Sequence, residues 1–306
     1  MRTRIIAVSN QKGGVGKTTT TVNLAACLAE RKRRVLVVDV DPQGNATSGL
    51  GREKEDGGSI YNCLLDDSED VREYVQSTDV PKLDIIPAEE DLAGAEIEIA
   101  RRNDYLTRLR VALKPLVDEN RHDFILLDCP PSFGILSINA LIAAESLLVP
   151  MQCEYYSLEG ISAIVKMIDR LKSTGMNPNL RIEGIVMTMY DGRTLLARQV
   201  IQEVRDYFGE TMFRTLIPRS VRLSEAPSQG MPIIQYEPES AGSMAYRKLA
   251  KEFLARTTES ASPIGGESGE GEAVEPAVSS DPKPVSGGDD VVYAQPEANV
   301  APPELG

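Results

Sequence analysis

The chain has 306 residues and a mass of 33.3 kDa, enough for one large domain or two small ones. An apolar fraction of 42% and a charged fraction of 26% exclude a wholly disordered or fibrous protein. With 33 basic against 46 acidic residues the formal net charge is −13, which does not suggest a nucleic-acid binder.

Short apolar, β-branched runs alternate along the chain with longer helical patterns. Residues 4–9 (RIIAVS) read as a strand that runs straight into a glycine-rich turn. A helix is expected over 18–31, with Val22, Ala25, Ala26 and Ala29 on one face. Strands follow at 34–40 (RVLVVDV) and 83–87 (LDIIP), then a helix at 104–119 and a strand at 123–129 (DFILLDC). A further strand at 146–150, a helix at 158–173 and a strand at 182–189 come next, with helices at 195–208 and 240–255. The strands are continuous apolar runs, the mark of strands covered on both faces. With strand–helix alternation this predicts an α/β, doubly wound, mostly parallel sheet flanked by helices. Ligands of such sheets bind beyond the carboxyl ends of the strands. Three loops start there, at 10–19, 39–47 and 128–134.

From Thr257 to the end the chain has ten acids and one base, Lys283, a net of −9, which leaves −4 on the preceding 256 residues. The same stretch holds seven of the 19 prolines and seven of the 24 glycines, and one aromatic residue, Tyr293. It cannot bury enough apolar surface to offset its ordering entropy. The expected division is a folded domain at 1–257 and a disordered, acidic Gly/Pro-rich tail at 258–306.

Cys27, Cys63, Cys129 and Cys153 show no metal-binding spacing and read as buried, reduced thiols of a cytosolic protein. The first 14 residues lack the apolar core of a signal peptide. The longest apolar stretch, 138–151, is broken by Glu145 and is shorter than the roughly 20 residues of a membrane span. The single histidine, His122, precedes a strand, so histidine-based acid–base chemistry is not expected.

Lys12–Thr18 reads KGGVGKT between a strand and a helix. Gly16, Lys17 and Thr18 fit the second half of the phosphate-loop pattern G-x-x-x-x-G-K-[ST], whereas Gln11 stands where its first glycine falls. Gly13, Gly14 and Gly16 let the main chain wrap a phosphate, flanked by Val15 and Thr19, and the following helix presents its positive end. Lys17 neutralises β- and γ-phosphates, and the Thr18 hydroxyl suits Mg²⁺. A plain glycine turn is the alternative, disfavoured by seven specified residues in this context. A metal-side carboxylate is expected at the end of another strand, and Asp128 in ILLDCPP supplies it. Asp39 and Asp41 in VVDVDPQGN end a further strand, and either is placed to orient an attacking water.

These segments, together with VPMQCEYYSLEG, TMYDGRT and IPRSVRLSEAPS, resemble the ParA/Soj chromosome- and plasmid-partition ATPases over about residues 3–255. The resemblance implies the following roles. Lys12 is the signature lysine, reaching across an ATP-dependent homodimer to the partner's phosphates. Lys17 binds phosphate within its own subunit. Thr18 ligates Mg²⁺ directly and Asp128 holds it through water. Asp41 is the carboxylate that positions water. Pro218 and Ser220 line the adenine, although the family often has Asn where this chain has Ser220. Arg193 and Arg222 contact DNA without sequence preference, with Arg219 beside them. Arg198, Arg214, Arg247 and Lys248 are weaker candidates. A ParB-type centromere-binding protein is implied as the stimulating partner, non-specific double-stranded DNA as the track, and the cytoplasm, on the nucleoid, as the location. The chain begins at its first strand, so no sequence-specific DNA-reading domain is expected.

Relatives that move plasmids or protein clusters share the same cycle, and cargo is chosen by the partner. A MinD-like division-site ATPase shares the loop but binds membranes through a basic amphipathic helix, which an acidic tail opposes, so no membrane partner is expected. An iron–sulfur reductase would need two cysteines per subunit at a shared cluster, for which Cys129 and Cys153 are the candidates.

Overall fold

The computed structural model describes residues 2–54, 58–154 and 157–259. The chain opens with β1 (Arg4–Val8), α1 (Lys17–Glu30), β2 (Val35–Asp39), α2 (Asn45–Gly49) and α3 (Ile60–Leu65). Then come β3 (Gln76–Ser77), β4 (Leu83–Ile86), α4 (Leu92–Ile99), α5 (Arg108–Glu119), β5 (Phe124–Asp128) and α6 (Ile135–Ala143). The second half holds β6 (Ser146–Gln152), α7 (Ser157–Ser173), β7 (Arg181–Thr188), α8 (Leu195–Phe208), α9 (Val221–Glu225), α10 (Ile233–Tyr236) and α11 (Ala241–Glu259). The strands form one sheet in the order β3-β4-β2-β5-β1-β6-β7, with β3 antiparallel and every other pairing parallel.

The continuous apolar runs have the expected cause. Ile5, Ala7, Leu36, Val38, Ile125 and Leu127 face one helical layer, and Ile6, Val8, Val35, Val37, Phe124 and Leu126 face the other. Adjacent side chains of a strand point to opposite faces, so a sheet covered twice needs both sets apolar. The second layer includes α1 and α11, where the Phe253 ring meets Phe124 edge-on at 5.4 Å. All four cysteines are buried and free. His122 is buried, its Nε2 at 2.9 Å from the Asp84 carboxylate.

The chain winds from β1 out to β2 and β4, returns to β5, and crosses to β6 and β7 on the far side of β1. Strand order thus reverses at β1, whose carboxyl end feeds the glycine-rich loop. The predicted long elements are present, with three adjustments. α5 starts at Arg108 rather than 104, because residues 101–107 form turns. Short α2, α3, α4 and α6 fill loops left unassigned by sequence, being too brief to display a helical period. α11 runs to Glu259, so the first two residues of the expected tail are helical, and the rest of that segment, 260–306, lies outside the described residues.

After α8 the chain returns beside β7 without forming a regular strand. Phe213 N–H donates to Ile185 O at 2.9 Å, Ile217 N–H to Met187 O at 2.9 Å, and Arg219 N–H to Tyr190 O at 3.0 Å. α11 fixes this segment through one carboxylate. Glu252 accepts from Arg214 N–H (2.7 Å), Thr215 N–H (3.0 Å), the Thr215 hydroxyl (2.8 Å) and Arg256 (2.9 Å). Burial pushes the Glu252 carboxyl up, but the Arg214 and Thr215 donors outweigh it and hold it below its usual range. Such a group adds stability above its unfolded value, near 4.3, and loses it as pH falls through the folded value. Glu252→Gln is therefore expected to lower the unfolding free energy by about 1–3 kcal/mol at pH 7. Urea titrations should show the difference shrinking toward zero below that range.

Candidate functional site

The loop between β1 and α1 is built by its neighbours as well as by its glycines. Gly14 (φ 72°) and Gly16 (φ 85°) occupy the left-handed region, which side-chain-bearing residues rarely adopt. The Gly14 carbonyl accepts from the Gln152 amide at 2.8 Å, and the Val15 carbonyl from the Thr188 hydroxyl at 2.8 Å. In a trans peptide the N–H points opposite to the C=O, so the loop's amides turn away from β6 and β7. Asn10 braces the base of the loop, donating to Pro150 O (2.8 Å) and accepting from Lys12 N–H (3.0 Å). Gly16 caps α1 with no side-chain hydrogen bond, so the amides of its first turn are left for an anion.

Below the loop, carboxylates end two neighbouring strands. Asp39 on β2 pairs in register with Asp128 on β5, and both are fully buried. Asp128 accepts from the Thr18 hydroxyl at 2.7 Å and the Thr21 hydroxyl at 2.8 Å. Asp39 accepts from Thr47 N–H and its hydroxyl, each at 2.8 Å, and from Asp41 N–H at 3.2 Å. Burial raises both carboxyls and mutual repulsion further raises Asp128, while these donors oppose the rise. Lys17, 6% exposed, donates to Lys12 O at 3.3 Å. Burial lowers its pKa, against the pull of Asp128 and Asp41. Asp41 is also buried, and its carboxylate accepts from Gln43 N–H at 3.0 Å. Of the two acids left open by sequence, the Asp39 carboxylate is occupied by Thr47 and by the Asp41 N–H, whereas the Asp41 carboxylate takes the Gln43 N–H of its own turn.

A cavity of about 600 Å³ opens beside the loop, lined by Gly16, Thr18, Thr19, Met189, Pro218, Arg219 and Ser220 among others. The irregular return beside β7 delivers Pro218, Arg219 and Ser220 there. Lys12 is not part of its lining and leans outward, with Nζ at 2.5 Å from Glu154. Arg193 is 90% exposed and paired with Asp191, whose carboxyl the Arg193 bonds lower to about 2. Arg222 is paired with Glu225 at 2.8 Å, and Arg219 is exposed. Arg193, Arg219 and Arg222 therefore lie at the same end of the sheet as the loop.

Sequence reasoning missed Gln152, Thr188 and Thr21, which orient the loop and Asp128. Their only local signal is position, at strand ends or one helical turn beyond Thr18. It also missed Met189, a non-glycine residue at φ 51° on the cavity wall.

The Thr18 hydroxyl and the Asp128 carboxylate, bonded to each other at 2.7 Å, put two hard oxygen donors beside the loop. Among the described residues no group of three or more His, Cys, Asp or Glu is placed to hold an ion. Those oxygens would fit Mg²⁺, a hard cation that prefers oxygen ligands and keeps several waters. Cys129 and Cys153 are buried, and burial pushes their thiols up, Cys153 to about 11. Neither suits a cluster shared at a subunit surface. No helix among the described residues is long and apolar enough to cross a membrane.

The family model described as an AAA domain matches residues 3–182. Sporulation initiation inhibitor protein Soj of Bacillus subtilis is 53% identical over 82% of this chain and 98% of its own length. Chromosome partitioning protein ParA of Myxococcus xanthus is 51% identical over 83% of this chain and 89% of its own. Among solved structures, cobyrinic acid a,c-diamide synthase of Mycobacterium smegmatis, with bound ADP and magnesium, superposes with a TM-score of 0.72. It is 35% identical, over 84% of this chain and 96% of that one. The cell division ATPase MinD of Pyrococcus furiosus gives a TM-score of 0.67 at 28% identity, over 82% and 98%.

The two kinds of contact at the loop differ in worth. The Lys12–Glu154 pair has side chains 38% and 48% exposed, where ion pairs contribute at most about 1 kcal/mol. Glu154→Gln should change unfolding free energy by less than about 1 kcal/mol. Thr21→Val strips a donor from a buried carboxylate and should cost about 1–3 kcal/mol in the same denaturant titration.

Proposed function

The chain belongs to the ParA/Soj family of partition ATPases, and from that premise we propose that it hydrolyses ATP with Mg²⁺ to drive chromosome segregation on the nucleoid. The observation that carries the proposal is the arrangement of Thr18 at 2.7 Å from Asp128, beneath the uncapped start of α1, with Lys17 and Asp41 beside them. The amides of residues 13–19 and Lys17 hold the phosphates. Thr18 would hold Mg²⁺ directly and Asp128 through water, and the ion when bound would supply positive charge against the phosphate oxygens. Asp41 orients the attacking water, and Pro218 and Ser220 line the adenine.

Lys12 supports a dimeric cycle, because its partly exposed ammonium pairs with the exposed Glu154 rather than lining the cavity beside its own loop. Two nucleotides brought face to face repel, and a lysine from each partner offsets that repulsion. ATP thus joins the subunits and hydrolysis releases them. Arg193, Arg219 and Arg222 form the DNA contact, doubled in the dimer. Phosphate contacts of this kind are indifferent to sequence and weaken with salt. A ParB-type partner stimulates hydrolysis at the cargo, and the naming of relatives as chromosome partitioning proteins favours chromosome origins as that cargo.

Co-sedimentation with DNA should show retention with ATP but not with ADP or without nucleotide, reduced at higher salt. Binding in no state, or liposome binding under ATP instead, would overturn the reading. Arg193→Glu combined with Arg222→Glu should leave ATP-dependent dimerisation intact and abolish retention. Lys17→Ala should eliminate binding of a fluorescent nucleotide. Asp41→Ala should hold an ATP-bound dimer on DNA; rapid phosphate release by that variant would remove Asp41 from its role.

A further inference from the structure

We propose that Thr47 is a positioning residue for the Asp41 carboxylate, acting through Asp39. The inference rests on the reading of Asp41 given above and adds what holds that group in place. β2 ends at Asp39, and the turn carrying Asp41 follows at once. That turn is closed on itself, with Gly44 N–H donating to Asp41 O at 2.8 Å and Gln43 N–H to the Asp41 carboxylate at 3.0 Å. Nothing within the turn fixes its position over the sheet. The Asp39 carboxylate does so from both ends. One oxygen takes Asp41 N–H at 3.2 Å, and the other takes both Thr47 donors at 2.8 Å.

The Thr47 hydroxyl has a second bond. It accepts from Ala88 N–H at 3.0 Å, just beyond β4. One buried hydroxyl therefore ties the far end of the turn to the carboxyl ends of both β2 and β4. Val40 N–H donates to Asp128 O at 3.0 Å, which adds β5 to the frame. Asp41 is thus suspended between three strand ends, and Thr47 is the one side chain in that frame that both donates and accepts. Valine has the shape of threonine without its hydroxyl. In Thr47→Val, Asp39 loses a donor and Ala88 N–H loses its acceptor, both in a dry setting. Relief comes from movement of residues 39–47, and a shift of about 1 Å at a reacting group can cost about 100-fold in rate.

The test uses the full chain and Mg²⁺–ATP, with steady-state phosphate release for kcat and KM and thermal unfolding as a control. Thr47→Val should lower kcat by about 10-fold or more, with KM for ATP within about threefold of the parent. Thr47→Ser restores the hydroxyl and should return kcat to within about threefold. Thr47→Ala, which removes the hydroxyl and leaves room, stands in if the valine variant does not fold. A merely structural role predicts a different pattern: KM rising with the loss of kcat, or serine failing alongside valine. Either result, or kcat unchanged in the valine and alanine variants, overturns the inference. Asp41→Ala is run beside them. If it turns over normally the reading of Asp41 fails. If it is inactive while Thr47→Val keeps full kcat, only the role of Thr47 fails.

Discussion

Asp39 and Asp128 end neighbouring strands side by side, out of contact with water, next to a loop that gathers donors for an anion. Burial opposes the ionisation of both, Asp41 adds repulsion at each and Asp39 adds more at Asp128, so the fold surrounds them with donors. It uses threonines. Thr18 and Thr21 come from one face of α1, three residues apart, and Thr47 comes from α2. These bonds tie the start of α1 to the end of β5 and the start of α2 to the end of β2.

The same requirement separates the roles of three acids that look alike in sequence. Asp39 is saturated by donors and holds the loop. Asp128 accepts from the Thr18 and Thr21 hydroxyls at the start of α1. The Asp41 carboxylate receives one bond, from Gln43 N–H in its own turn. α2, which starts just past that turn, packs against the 3₁₀ turn at residues 226–229 through a close approach of Gly51 and Gly230, both at positive φ. A side chain at either position would meet backbone, so this contact between the Asp41 region and the segment after Arg222 depends on glycine.

Charge is arranged locally in a chain that is acidic overall. Arg193 on the loop after β7 and Arg222 on α9 are both exposed, yet each has a neighbouring carboxylate. Exposed pairs of this kind are each worth little. Glu252 acts on the neighbouring segment from a distance. By pinning residues 214–215 to α11 it fixes the segment that carries Pro218, Arg219 and Ser220 to the cavity.

The sequence by itself determined the sheet, its two-sided burial, the order of the long elements and the phosphate loop, because each rests on a local pattern: apolar runs, helical period and glycine spacing. Lys17, Thr18 and Asp128 were legible for the same reason, since a loop between strand and helix and a carboxylate at a strand end are short-range signals. Only the tertiary structure decided what holds them. Gln152, Thr188 and Glu252 act on partners 37 to 173 residues away in the chain. The strand order that places β5 between β1 and β2 brings Asp128 beside Asp39, 89 residues apart, and no local pattern encodes that pairing. The different surroundings of Asp39 and Asp41 arise in the same way, because Asp39 takes donors that fold in from Thr47 on α2 and the Asp41 carboxylate takes the Gln43 N–H of its own turn.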